Sequence, residues 1–131
     1  MITKGIKELC AEAEREIETL TPAQVMAVMN DPNVQIVDIR DVRELWRDGA
    51  IPGSLHAPRG MLEFWVDPES PYHKPVFAAD KTFVVYCASG WRSLLATELL
   101  QRMGLKPVVN LQGGFSAWRQ AGGPVETVDK P

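Results

Sequence analysis

The sequence predicts an α/β fold, a parallel sheet flanked by helices on both faces and preceded by an extra N-terminal helix. Two observations carry this. Short apolar runs at Val34–Ile39, Thr82–Tyr86 and Val108–Leu111 read as strands buried on both faces. Between them lie segments of helical period joined by short loops, the alternation that parallel strands need for their crossovers. At 131 residues, with 45% hydrophobic and 24% charged side chains, the chain is long enough to bury one conventional core.

The first element is an amphipathic helix, because Ile2, Ile6, Leu9, Cys10, Ala13 and Ile17 recur at helical spacing beneath an acidic outer face. Thr21, Pro22 and Gln24 then open a second helix with a capping hydroxyl, a proline at the first helical position and a capping-box glutamine. It is expected to run to about Asn30, where Asp31-Pro32 stops it. The strand Val34–Ile39 follows. Asp41 and Glu44 repeat the capping-box spacing and start a short helix through Trp46. Gly49 to Gly53 turns the chain into a brief strand around Ser54–Ala57. From Arg59 to Asp80 the chain reads as helical turns and loop, with Trp46, Phe64 and Trp65 as core residues rather than cofactor contacts.

Thr82–Tyr86 is the clearest strand, and a helix with Leu95, Leu99, Leu100 and Met103 as its apolar face follows it, ending at Gly104. The strand Val108–Leu111, a Gly113-Gly114 turn and a helix from Phe115 to Ala121, packed through Phe115 and Trp118, complete the order.

The composition excludes several classes. A net charge of −3 without clustered Lys and Arg leaves no nucleic-acid footprint. No apolar run has membrane-spanning length, and the charged first twenty residues do not form a secretory signal. A cytoplasmic location is expected, with a mature form already freed of its signal as the open alternative. The two cysteines, Cys10 and Cys87, lie in different settings and are expected to stay reduced. His56 and His73 have no metal-ligand spacing, so no metal site is expected.

Cys87 stands at the carboxyl end of a central strand and just before a helix, where open α/β sheets place their ligands. The residues Ala88, Ser89, Gly90 and Trp91 that follow are mostly small, and Gly90 lets successive amides turn inward as an anion nest. The nest and the positive end of the helix dipole favour thiolate over thiol. Arg92 adds a cation and Ser93 a hydroxyl that bonds the sulfur or caps the helix. Taken alone, Cys87 reads as a buried core cysteine behind an apolar strand. The conjunction of strand, cysteine, glycine, arginine and helix makes it the candidate nucleophile, whereas Cys10 lies on an apolar stripe without a cation nearby. Arg59, following the short strand at Ser54–Ala57, is a second candidate, for steering an anion to the same mouth, or else an ordinary surface arginine. Trp91 either lines the entrance or packs at the surface.

Asp38-Ile39-Arg40, Ile51-Pro52-Gly53-Ser54, the loop from Cys87 to Ser93, and Leu111-Gln112-Gly113-Gly114-Phe115 with Trp118 together resemble the rhodanese homology domain, in order and spacing, from about Thr21 to Pro124. That resemblance implies five parallel strands and a sulfurtransferase in which Cys87 bears a persulfide, cradled by the amides of residues 88 to 92. It divides the chain into an N-terminal helical extension (1–20), a rhodanese-like domain (21–126) and a tail (127–131). One departure is Ala50, where the family usually has His before the Ile-Pro-Gly turn; this puts local packing in question. Sulfur-transferring loops of the family place Arg five positions after Cys, as Cys87 and Arg92 do, while related phosphatases and arsenate reductases use one residue more. The implied partners are small sulfur-containing anions such as thiosulfate, thiol or cyanide acceptors, or a protein sulfur donor or acceptor, with no cofactor. A non-catalytic binding module of the same fold, and a persulfide carrier fed by a protein, stay open as alternatives.

Overall fold

The computed structural model describes residues Met1–Pro131. Its elements are α1 (Ile6–Glu16), β1 (Glu18–Leu20), α2 (Pro22–Val28), β2 (Val34–Asp38), α3 (Val42–Asp48), β3 (Leu55–His56), α4 (Leu62–Val66), β4 (Thr82–Tyr86), α5 (Trp91–Arg102), β5 (Val108–Leu111) and α6 (Gly114–Gln120), with 3₁₀ turns at Arg59–Met61 and Pro75–Ala78. The strands form one parallel sheet in the order β1-β5-β4-β2-β3. No helix is long and apolar enough to cross a membrane.

The central strand shows why the sheet is covered twice. Along β4 successive side chains point to opposite faces. Phe83 and Val85, followed by Cys87, join a cluster with Leu62 of α4 and Ala96 and Leu100 of α5. Val84 and Tyr86 face the other way, onto Val25 of α2 and Phe115 and Trp118 of α6. Both capping boxes form: Thr21 Oγ1 accepts from the Gln24 amide at 3.2 Å, Gln24 Oε1 from the Thr21 amide at 2.9 Å, and Glu44 Oε2 from the Asp41 amide at 3.0 Å.

Four expectations change. The strand β1 was not anticipated; it lies within the N-terminal extension, and a three-residue edge strand with an exposed glutamate is too short to show alternation. The helix α2 ends at Val28 rather than Asn30. Ser93, Ala96, Thr97 and Leu100, and not Leu95, Leu99 and Met103, are the buried residues of α5. The reason is that α5 is covered on a second side by α1, where Gln101 donates to the Glu16 carbonyl at 2.7 Å, while small residues let it approach the sheet closely. Phe64, expected in the core, is 51% exposed and meets Tyr72 edge to face. The gap left by Ala50 is closed from the far end of the chain: Ala50 is buried and exchanges two backbone hydrogen bonds with Glu126, at 3.0 and 2.9 Å.

The carboxyl edge of the sheet is tied by one buried polar network. Asp38 and Arg40 are essentially inaccessible, and the guanidinium grips the carboxylate through Nη2 at 2.7 Å and Nε at 3.0 Å while Nη2 also donates to the Gly49 carbonyl at 2.7 Å. Tyr86 donates to Asp38 Oδ2 at 2.7 Å and accepts from the Ile51 amide at 3.2 Å. Burial, with the Asp38 charge adding to it, pushes the Tyr86 phenol far up, so it stays a donor. Arg40 also stacks over the Phe115 ring, 4.3 Å from its centroid. Tyr86→Phe leaves the Ile51 amide buried without its acceptor and is expected to cost about 1–3 kcal/mol, read as a lower urea midpoint at unchanged slope.

Candidate active site

Cys87 follows the last residue of β4 and precedes α5, so the strand fixes the sulfur at the carboxyl edge of the sheet. The thiol is 1% exposed. Gly90, at φ +101°, brings its amide back to donate to Cys87 Sγ at 3.2 Å; among the amides of residues 88 to 92 it alone bonds the bare sulfur. The Cys87 thiol donates to Ser93 Oγ at 3.5 Å, and the Ser93 hydroxyl donates to the Gly90 carbonyl at 3.2 Å. Gly90 is the N-cap of α5 and no side chain caps it, so the first turn of the helix presents free amides toward the loop.

The loop is held from behind. Phe115 and Ser116 at the start of α6 donate their amides to the carbonyls of Cys87 and Ala88, at 2.8 and 3.0 Å. Gly114 permits this approach, since a Cβ there, at φ +61°, stands 2.5 Å from the Cys87 carbonyl oxygen. A cavity of about 440 Å³ opens beside Ala88 between Arg40, Asp48, Ser116 and Arg119. A smaller one of about 160 Å³ is walled by Ser89, Gly90 and Trp91 with Glu14, Thr19 and Asn110.

The structure brings Cys87 to Ser93 together as one curl and leaves Arg59 outside it. Arg59 sits on the turn before α4, and its guanidinium is met by Glu63 at 2.6 Å. Trp91 is 47% exposed at the rim. Arg92 does not stand free beside the sulfur: it makes a two-pronged ion pair with Glu44 of α3, Nη1 to Oε2 at 2.9 Å and Nη2 to Oε1 at 3.1 Å. Sequence reasoning missed this partner because Glu44 already had a role in its capping box. Cys10 is nearer than expected, its thiol donating to the Trp91 carbonyl at 4.0 Å. Burial first, then the charge of Cys87, pushes that thiol up. Both cysteines are free, and His56 Nε2 is held at 2.6 Å from the Arg40 carbonyl.

The rhodanese-like domain model matches residues 21–121. The chain belongs to the rhodanese-like family. It is 34% identical to a sulfurtransferase of Allochromatium vinosum over 84% of this chain and 92% of that protein. It is 31% identical to the thiosulfate sulfurtransferase GlpE of Shewanella oneidensis, over 78% and 92% of the two chains. Among solved structures, a Rhodopseudomonas palustris protein described as of unknown function and a possible tyrosine phosphatase shares 58% identity, covers 96% of this chain and 97% of its own, and superposes with a TM-score of 0.93. A rhodanese domain with sulfurtransferase relatives supports a sulfurtransferase type of function.

The ion pair at the rim of this rhodanese loop has a pH signature. The Arg92 hydrogen bonds hold the Glu44 carboxyl below its ordinary 4.5, so the pair contributes stability above that value and loses it as the pH falls through the lower folded-state value. Glu44→Gln removes the titrating group. Urea midpoints measured from about pH 6 down to pH 3 should therefore fall less steeply in the variant than in the wild type.

Proposed function

We propose that the chain moves sulfane sulfur by double displacement through a persulfide on Cys87. The thiolate attacks the outer sulfur of a donor such as thiosulfate, a new S–S bond forms at Cys87, the donor's S–S bond breaks, and sulfite leaves with its electron pair. A thiol or cyanide then attacks the outer sulfur and Cys87 leaves as thiolate. The observation that carries this reading is the placement of the Cys87 sulfur inside a curl closed by the Gly90 amide at the N-terminus of α5, where negative charge on sulfur is stabilised before and after transfer. Ala88 to Ser93 form the cradle. The sheltered sulfur also suits storage and delivery to a protein acceptor. No cofactor enters the reaction, and the two free thiols fit a reducing compartment.

Incubation with thiosulfate is expected to add the mass of one sulfur atom to Cys87 and none to Cys10, and cyanide should remove it as thiocyanate. Peptide mapping locates the addition. Cys87→Ser should fold and show no transfer, since a hydroxyl without a base is a poor nucleophile. A wild-type protein that takes up no sulfur from thiosulfate, polysulfide or a protein persulfide would favour a binding role for this fold.

The phosphatase description of the Rhodopseudomonas relative raises a second chemistry, and the loop argues against it here. Five positions separate Cys87 from Arg92, and Gly90 and Ser93 both bond the sulfur, so the shorter loop leaves little room for an in-line phosphoryl transfer. Phosphate-ester and arsenate assays should show no turnover. Inserting one residue between Trp91 and Arg92 should sharply lower sulfur transfer, and a variant that transfers sulfur as before would remove the loop-size argument.

A further inference from the structure

The cradle carries fewer free charges than its sequence suggests. Ala88, Ser89, Gly90 and Trp91 are neutral, and the loop's single cation, Arg92, has both terminal nitrogens on the Glu44 carboxylate. Glu44 is in turn fixed: its Oε2 accepts the Asp41 amide at the start of α3, and its side chain is only 18% exposed. It is therefore held across from the loop before any substrate arrives. Neighbouring arginines are matched in the same way, Arg40 by Asp38, Arg43 by Asp41, Arg47 by Asp48 and Arg59 by Glu63. Arg119 makes no ion pair, but it shares its cavity with Asp48. At the mouth an anion therefore meets the amide curl, the helix dipole and an Arg92 charge already shared with Glu44, while Arg119 lies on the far side of Ala88 in the neighbouring cavity.

We propose that Glu44 is a positioning residue that sets the charge preference of the donor: by holding the Arg92 guanidinium in a two-pronged ion pair at the rim, it makes Cys87 favour singly charged or neutral sulfane donors over the thiosulfate dianion. The inference rests on the Cys87 persulfide reading and adds the substrate class to it. The favoured class comprises hydropersulfides and organic thiosulfonates. In each the Cys87 thiolate attacks the outer sulfur, the S–S bond to the rest of the donor breaks, and a thiolate or a sulfinate departs with the electron pair. An extra negative charge on the donor meets an arginine already neutralised, and desolvating it at a buried sulfur is uncompensated.

Two donors that differ in charge and share the same transferred atom make the test: thiosulfate, which releases sulfite, and methanethiosulfonate, which releases methanesulfinate. The wild type should show the higher kcat/KM with methanethiosulfonate. Glu44→Gln keeps a residue able to close the capping box and frees the cation, so it should raise kcat/KM for thiosulfate about tenfold, mainly through KM, while methanethiosulfonate changes by less than about twofold. A purely structural role would lower both donors together, and that result, or an unchanged ratio, overturns the proposal. A second measurement needs no variant: wild-type kcat/KM for thiosulfate should vary little between about 50 and 300 mM salt, whereas a steep fall would show that an unpaired cation such as Arg119 governs donor entry and would overturn it. If neither donor loads Cys87, the persulfide reading fails, and this inference with it. Loading of both donors with no change in their ratio rejects the role of Glu44 alone.

Discussion

The Asp38–Arg40 pair is the constraint on which the carboxyl edge of the sheet depends. A buried charge is costly unless its partner is close and its remaining hydrogen-bonding capacity is used. Both conditions hold here. The Asp38 carboxylate receives the Arg40 amide and guanidinium and the Tyr86 hydroxyl, and Arg40 spends its further capacity on the Gly49 carbonyl and the Phe115 ring. These contacts reach β2, β4, the chain after α3 and the start of α6. Tyr86 immediately precedes Cys87, and Phe115 donates to the Cys87 carbonyl, so the same pair braces the strand end that carries the sulfur.

Upon that frame the loop needs little of its own. In the proposed reaction a thiol at the end of a strand, a glycine that turns one amide back onto it, and an uncapped helix start are the parts that would hold the persulfide. The family tie and the geometry point the same way. The arginine that the sequence places beside the sulfur lies close enough to feel it but is shared with Glu44, so oriented dipoles take a larger part of the electrostatic burden.

How much of this was legible in the chain follows from the range of each interaction. The strands at 82–86 and 108–111 and the helix starts at Thr21 and Asp41 were readable because periodicity and capping act within a few residues. The position of Cys87 at a strand-to-helix turn was readable for the same reason. The strand β1 was not, because its partner β5 lies far along the chain and three residues carry no pattern. The pairing of Glu44 with Arg92 joins residues 48 apart in sequence, and nothing in one sequence marks it. The buried face of α5 differs from its apolar stripe because the helix is covered on two sides, and Ser93, Ala96 and Thr97 are buried beside Leu100. Cys10 was judged correctly as apolar in its setting, but its closeness to the loop depends on how α1 docks.

The clasp between Ala50 and Glu126 has a consequence for the order in which the protein is made. Ala50 emerges in synthesis well before its partner Glu126. At about 5–20 residues per second the intervening chain takes roughly 4–15 s to appear. Throughout that interval the Gly49 carbonyl that receives Arg40 lacks its covering segment, and the amides of Phe115 and Ser116 that brace the sulfur loop arrive only near the end. During that interval the nascent chain thus carries an unfinished cysteine loop and an incompletely shielded ion pair, and this part of the fold is locked only once Glu126 has emerged.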